Sequence, residues 1–125
     1  MTEPGPARFA YVTLVMRGDD YVIGALVLAK SLKWSRTIHQ TVCMVTSDVS
    51  EKAVCLLKQA FDRVELIEYI NMPCRKLNTN KQEKMYGAWT HLSLTCFRCL
   101  LLEDYEKICL MDSDVVVLRN MDNIF

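Results

Sequence analysis

The 125-residue sequence has no excess of charge of either sign, because fifteen lysines and arginines balance fifteen aspartates and glutamates. A neutral chain has no electrostatic footprint for nucleic acid or an anionic membrane, so neither is expected as a principal partner. No uncharged apolar run is long enough to cross a bilayer, since residues such as Lys30 and Glu103 interrupt each candidate. Internal repeats and low-complexity segments are also missing, which leaves an ordinary globular domain of common size.

The first residues, Met-Thr-Glu-Pro-Gly-Pro-Ala, lack the basic and apolar regions of a signal peptide. Six cysteines are present, and most lie inside apolar stretches, where a free cysteine behaves as a small buried hydrophobic residue. Both observations favour a reducing compartment, and we expect a cytoplasmic protein.

Apolar, β-branched runs alternate with helical patterns along the chain. Strands are predicted at Phe9–Val15, Gln40–Thr46, Val64–Ile67 and Ile108–Met111, and helices at Tyr21–Lys33, Glu51–Ala60 and about Thr90–Leu102. Ser50 is placed to cap the second helix. Residues Tyr69–Gln82 predict a long loop of the kind that forms lids or binding sites. The alternation predicts an α/β domain with a mostly parallel sheet.

The chain stops at Phe125, shortly after the apolar run Val115–Leu118. No helix follows that would cover the last strand. We therefore expect residues 1–125 to form the N-terminal part of a single domain that is truncated at its C-terminus.

Asp112 and Asp114 are the most informative residues. They follow the strand Ile108–Met111, which places them at the carboxyl edge of the sheet, where open α/β sheets bind ligands. Paired carboxylates supply the hard oxygen ligands that suit Mn²⁺ or Mg²⁺, and such a cation stabilises a diphosphate leaving group. The alternative interpretation is an Asx-type turn between this strand and Val115–Leu118.

Several blocks of the sequence resemble the glycogenin-like glycosyltransferases of family 8. The blocks are Tyr11–Leu14, Gly24–Leu32, Val42–Thr46, Phe61–Val64, Tyr105–Asp114 and Leu118–Phe125. They occur in the family's order and span nearly the whole chain. The resemblance implies a Rossmann-like GT-A fold, a UDP-sugar donor, and transfer of a hexosyl group to an acceptor hydroxyl with retention of anomeric configuration. The resemblance does not specify the acceptor, which could be a glycan, a protein or a small molecule. It also leaves a homodimer possible.

The resemblance also implies which residues hold the nucleoside. Thr13, Leu14 and Val15 would lie at the end of the first strand and contact the uracil and ribose. Tyr21 would pack on the base. Without the resemblance, the three strand residues would be ordinary core of any α/β protein.

The same resemblance implies a metal site. Asp112 and Asp114 would be ligands of the cofactor, usually Mn²⁺, and Ser113 between them would meet the ribose. A basic residue from the long loop normally helps to hold the donor, and Lys81 is the candidate for that role, with Lys84 as the other choice.

The sequence departs from the family pattern in three places. Cys96 stands where the family usually carries a lysine near the donor, which removes a cation beside the diphosphate. The loop Met16–Asp20 is one residue longer than the glycogenin pattern and carries Arg17. In the family, a histidine from the second half completes the metal site, and neither His39 nor His91 lies at that position.

Three other functions are open on the sequence alone. A haloacid-dehalogenase-type phosphatase also has an apolar strand ending in D-x-D, but there the motif opens the domain. Cys96 and Cys99 form one C-x-x-C, yet a zinc site needs two more ligands, and a redox pair normally opens a helix after a strand. Helical spacing of buried cysteines explains that pair without a function. A catalytically inactive nucleotide-binding or dimerisation fragment would share every feature of the enzyme.

Overall fold

The computed structural model describes residues 8–73, 78–82, 84 and 91–125, and these build a four-stranded sheet with helices on both faces. The strands are β1 (Phe9–Val15), β2 (Gln40–Val45), β3 (Arg63–Leu66) and β4 (Lys107–Leu110). Their order in the sheet is β3-β2-β1-β4, and every neighbouring pair is parallel. The predicted fold class, α/β with a parallel sheet and flanking helices, is confirmed. The central strands β1 and β2 are nearly continuous apolar runs, because helices cover both faces of the sheet at these strands.

Two α-helices, α1 (Val22–Trp34) and α2 (Glu51–Ala60), cover one face of the sheet. Small residues of α1 let the helices approach each other closely, since Ala25 packs with Ala53 and Leu57 of α2 in one buried cluster. The cap predicted for α2 is present, because Ser50 Oγ accepts a hydrogen bond from Ala53 N at 3.2 Å.

A 3₁₀ helix, Ser93–Leu101, covers the opposite face of the sheet. Its Cys99 lies in a buried cluster with Val12 of β1 and Met44 of β2. Successive side chains of β1 point to opposite faces of the sheet, so they alternately contact α1 and this 3₁₀ helix.

The α-helix predicted at about Thr90–Leu102 is therefore wrong in type over Ser93–Leu101. The tighter winding is held by hydrogen bonds to the residues that follow β3. The hydroxyl of the buried Thr95 accepts from Ile70 N at 3.1 Å, and Arg98 Nε donates to Glu68 O at 3.1 Å. These contacts join segments distant in sequence, which local helix propensity does not register. Thr90 itself lies outside the described residues.

Two further segments differ from what their sequence pattern suggests. The apolar run Val115–Leu118 forms no strand in the described chain; instead Val117 N donates to Ser31 Oγ of α1 at 2.9 Å, which holds the run against that helix. Residues 80–82 of the predicted loop are helical. Residues 74–77 of the predicted loop lie outside the described residues.

Asp122, in the short 3₁₀ helix Asp122–Ile124, holds the last described segment to the rest of the fold. Its Oδ1 accepts from Tyr11 OH at 2.7 Å and from Thr37 Oγ1 at 2.6 Å, while its Oδ2 accepts from Ile38 N at 3.1 Å and from Asn120 Nδ2 at 3.3 Å. Partial burial disfavours the charged form, but these hydrogen bonds outweigh it and lower the pKa of Asp122 to about 2.

The cysteines are less uniformly buried than the sequence suggests. Cys43 and Cys99 are buried, whereas Cys55 is exposed on α2 and Cys96 and Cys109 are half-buried; all five are free thiols. Cys74 lies outside the described residues. Among the helices of the described ranges, none has the length and apolar character that crossing a bilayer requires.

Candidate functional site

The sequence Asp112-Ser113-Asp114 lies directly beyond β4, at the carboxyl edge of the sheet. Met111 N donates to Val12 O at 2.8 Å, which extends the pairing of β4 with β1 by one residue. The chain then turns, and Val115 N donates to Asp112 O at 3.4 Å. Both aspartates are exposed, while Ser113 between them is buried. The turn presents both carboxylates at the edge where parallel α/β sheets bind ligands.

Gly24 of α1 allows the backbone of this turn to lie directly against the helix. A Cβ at position 24 would stand 2.6 Å from the carbonyl oxygen of Ser113 and 3.7 Å from Cα of Asp114. The first distance is far below an ordinary van der Waals contact, so only glycine fits here without movement of the backbone. The helix therefore fixes the position of the turn that carries both aspartates.

A cavity of about 380 Å³ opens beside the turn. Ligand pockets in proteins typically enclose about 300–1,000 Å³, so it is large enough for part of a nucleotide. The residues that line it are Leu14, Met16, Tyr21, Ser93, Cys96, Leu110, Met111, Asp112, Ser113 and Asp114. Five of the eight residues predicted for the site thus share one cavity, although they come from three separate parts of the sequence.

The carboxylates of Asp112 and Asp114 are not used to hold the fold. Within the described residues, neither side chain has a hydrogen bond or an ion pair, in contrast to Asp122 with its four donors. Both residues border the same cavity. Their oxygen donors suit Mg²⁺ or Mn²⁺, so the residues present fit the predicted metal. Among the described residues, no group of three metal-ligating side chains surrounds such an ion.

The end of β1 contributes to the cavity through alternate residues. Leu14 and Met16 line it, whereas Thr13 and Val15 point to the opposite face of the sheet. Val15 belongs to the core beneath α1, and Thr13 Oγ1 is buried with no hydrogen-bond partner in the described part of the chain. Contact of these two residues with a ligand would therefore involve their backbone.

The remaining two predicted residues lie in different surroundings. Tyr21 precedes α1, is 37% exposed and lines the cavity, which suits a ring that packs on a base. Lys81 is exposed in the helical stretch 80–82 and does not line the cavity as the described residues define it. The structure thus brings Tyr21 to the aspartates and leaves Lys81 apart from them.

A hydroxyl network fixes the loop that joins β1 to α1. Tyr69 OH accepts from Arg17 N at 2.8 Å and donates to Asp48 Oδ2 at 2.6 Å, and Thr46 Oγ1 donates to Asp48 Oδ1 at 2.5 Å. Partial burial disfavours the charged carboxylate, yet hydrogen bonds from Thr46 and Tyr69 leave the pKa of Asp48 below its usual value. Arg17 has a φ of 62°, an uncommon conformation for a residue other than glycine, and the network holds it there.

Sequence reasoning missed several residues of the cavity wall. Met16, Ser93, Leu110 and Met111 were not predicted, because their apolar or small side chains carry no chemical signature. Cys96 was noted both in the C-x-x-C pair and at the family's lysine position, sixteen residues before Asp112; the second observation is the one that linked this segment to the aspartates.

Comparison with known proteins identifies the family of the chain. Residues 13–125 match the model of the glycosyl transferase family 8. The chain is 34% identical over 116 residues to human glycogenin-1 (93% of the chain, 32% of that protein). It is 32% identical over 119 residues to an uncharacterized protein of Acanthamoeba polyphaga mimivirus (95% and 40%), and 32% identical over 121 residues to UDP-glucuronate:xylan alpha-glucuronosyltransferase 1 of Arabidopsis thaliana (96% and 17%). The chain therefore spans well under half the length of these relatives.

Proposed function

The chain belongs to glycosyl transferase family 8, and from that premise we propose that the protein transfers a hexosyl group from a UDP-sugar to an acceptor hydroxyl. A UDP-linked donor is supported by the name of the Arabidopsis relative, which specifies UDP-glucuronate. In this proposal, residues 1–125 supply the donor-binding part of one catalytic domain. The family match favours this reaction over the phosphatase that the D-x-D motif alone would allow.

The observation that carries the proposal is the cavity beside Asp112 and Asp114, whose carboxylates have no hydrogen bond or ion pair within the described residues. Its lining includes the largely apolar side chains of Leu14, Met16 and Tyr21 as well as the acidic residues Asp112 and Asp114. A nucleoside needs the apolar surface, and a metal-bound diphosphate needs the carboxylates. One cavity therefore offers apolar surface for the nucleoside and carboxylates for the metal-bound diphosphate.

Each part of the cavity has a proposed task. Tyr21 packs on the uracil ring, and the end of β1 around Thr13–Val15 contacts the uracil and ribose, with Leu14 facing the ligand. Ser113 meets the ribose through the turn that Gly24 positions. Together these contacts would orient the bond between sugar and diphosphate toward the acceptor.

Asp112 and Asp114 would hold the divalent cation, Mn²⁺ or Mg²⁺. When bound, that ion supplies positive charge that offsets the negative charge on the departing UDP. Transfer would proceed with retention of configuration, as the family resemblance implies. Lys81 remains a proposed donor contact from the family resemblance, although it does not line the cavity as the described residues define it. A cytoplasmic location is proposed from the free thiols of the described cysteines.

The decisive experiment is calorimetric titration of UDP into the purified chain, with and without Mn²⁺. We expect binding that requires Mn²⁺ in the wild type and is lost in Asp112→Asn and in Asp114→Asn. Glu103→Gln is the matched control, because Glu103 is exposed just before β4, at the opposite edge of the sheet. It removes the same charge and should bind UDP as the wild type does.

Two outcomes would count against the proposal. Mn²⁺-dependent binding that persists in both aspartate variants would refute the assigned metal site. Failure of the folded wild-type chain to bind would call for the same titration on the full-length protein, and failure there would refute the function. Binding of UDP without release of sugar by the full-length protein would identify a catalytically inactive nucleotide-binding protein.

A further inference from the structure

Three consecutive residues after β3, Glu68–Ile70, are hydrogen-bonded through their backbone to the longer 3₁₀ helix. Glu68 O accepts from Arg98 Nε, and Ile70 N donates to Thr95 Oγ1, each at 3.1 Å. Thr95 is fully buried, so its bond is shielded from water. This bridging segment therefore holds the helix that supplies part of the cavity wall.

The side chain in the middle of the bridging segment bonds to a different part of the chain. Tyr69 OH accepts from Arg17 N at 2.8 Å and donates to Asp48 Oδ2 at 2.6 Å. Arg17 is exposed and has a φ of 62°, a conformation uncommon for any residue other than glycine. Without the Tyr69 hydroxyl, its amide would bond to water and the backbone would be free to leave that conformation. The hydroxyl thus stabilises one conformation of the loop between β1 and α1.

The loop and the 3₁₀ helix each carry residues of the cavity wall. Met16 and Tyr21 flank Arg17 in the loop, and Ser93 and Cys96 lie on the helix; all four line the cavity. The bridging segment is bonded to both elements, which are far apart in the sequence. We propose that this segment sets the spacing between the two parts of the wall, and that Tyr69 is a positioning residue for the nucleoside of the donor.

The positioning role is confined to one end of the donor. The turn with Asp112 and Asp114 is held by other contacts, namely the bond from Met111 N to Val12 O and the close packing on Gly24. Loss of the Tyr69 hydroxyl should therefore disturb the part of the cavity proposed for the nucleoside and leave the proposed metal site in place. This effect on the donor rests on the proposed function, whereas the stabilisation of the loop does not.

The loop should stay folded without the hydroxyl, because it has a second anchor. Asp19 Oδ1 accepts from Ser50 N at 2.8 Å, and Asp19 Oδ2 accepts from Ser50 Oγ at 2.6 Å. Tyr69→Phe also keeps the aromatic ring. The substitution therefore removes the positioning hydrogen bonds without leaving a cavity.

The test is calorimetric titration of the Tyr69→Phe variant and the wild type with UDP and, separately, with pyrophosphate, both in the presence of Mn²⁺. We expect UDP to bind about tenfold more weakly to the variant, the effect of about one lost hydrogen bond, and pyrophosphate to bind both proteins equally. Tyr105→Phe is the matched control. It removes a hydroxyl that donates to Gln40 Oε1 at 2.5 Å at the amino edge of the sheet, and it should leave the binding of both ligands unchanged.

Hydrogen exchange of the Arg17 amide tests the contact without a ligand. We expect this amide to exchange slowly in the wild type, although Arg17 is exposed, and about tenfold faster in Tyr69→Phe. Tyr105→Phe should not change the rate. Equal exchange in Tyr69→Phe and the wild type would show that the hydroxyl does not hold the loop.

The two ligands separate a positioning role from a general structural one. Unchanged binding of UDP by Tyr69→Phe would overturn the proposal, and so would an equal loss of UDP and pyrophosphate binding. If the wild-type chain and the full-length protein both fail to bind UDP, the proposed function falls. The exchange rate of the Arg17 amide would still decide whether Tyr69 holds the loop.

Discussion

Replacement of Gly24 by alanine tests whether α1 positions the two aspartates. The added Cβ would lie 2.6 Å from the Ser113 carbonyl oxygen, whereas ordinary contacts begin at 3.4 Å. The turn would therefore retreat by about 0.8 Å. Alanine stabilises a helix by about 1 kcal/mol relative to glycine, but overpacking against backbone costs about 1–3 kcal/mol. We expect a loss of about 1 kcal/mol in the free energy of unfolding, and a larger effect on the ligand.

The assay combines urea denaturation with the titration of UDP in the presence of Mn²⁺. A displacement of this size at a metal site should weaken binding about tenfold or more. Ile23→Ala is the matched control, because Ile23 is the adjacent residue of α1, is 75% exposed and gains helix propensity without a new contact. If Gly24→Ala stabilises the chain by about 1 kcal/mol and binds UDP normally, the inferred role of this contact is wrong.

Two other substitutions test the hydrogen bonds that hold the chain near the site. Ser31→Ala should lower the free energy of unfolding by about 1–3 kcal/mol, because Val117 N would lose its buried acceptor; urea denaturation measures this. Asp122→Asn should cost about 2 kcal/mol at neutral pH, since the amide cannot replace both charged acceptor oxygens now bonded by groups such as Tyr11 and Thr37. The pKa of Asp122 is lowered to about 2, so its contribution is complete above the unfolded value of about 4 and is lost as the pH falls between them. Denaturation measured across that range should show less acid sensitivity in Asp122→Asn than in the wild type.

Controls for these substitutions come from an exposed serine and an exposed acidic residue. Ser47→Ala, in the turn after β2, should leave the free energy of unfolding unchanged. Glu103→Gln should keep the acid sensitivity of the wild type. A Ser31→Ala variant as stable as the wild type, or an Asp122→Asn variant with unchanged acid sensitivity, would contradict the assigned hydrogen bonds.

Local sequence signals were sufficient for most of the sheet and for α2. β1 matches its predicted bounds because both of its faces are buried, which requires an unbroken apolar run. α2 also matches, since Ser50 marks its start by capping a backbone amide. Asp112 and Asp114 were found from their position after an apolar strand, which topology places at the carboxyl edge of a parallel sheet.

The wall of the cavity could not be predicted in the same way. The segment Ser93–Leu101 has only nine residues, too few for its apolar pattern to distinguish a 3₁₀ from an α-helix. The winding is held by Thr95 and Arg98, which bond to backbone more than twenty residues earlier. The packing of Val117 against Ser31 likewise depends on partners 86 residues apart. Local patterns contain no information on such pairs.

The position of β4 at the edge of the sheet, beside β1, has a consequence for the order of folding. β1, α1, β2, α2 and β3 follow one another along the chain and pair with near neighbours, so they close only short loops. The junction of β1 with β4 is different, because Arg8 and Glu106, which are bonded beside it, are 98 residues apart. Contacts that close long loops form slowly and late. On a ribosome, the first three strands would assemble before β4 emerges, and the carboxylate turn would be the last part of the cavity to reach its place.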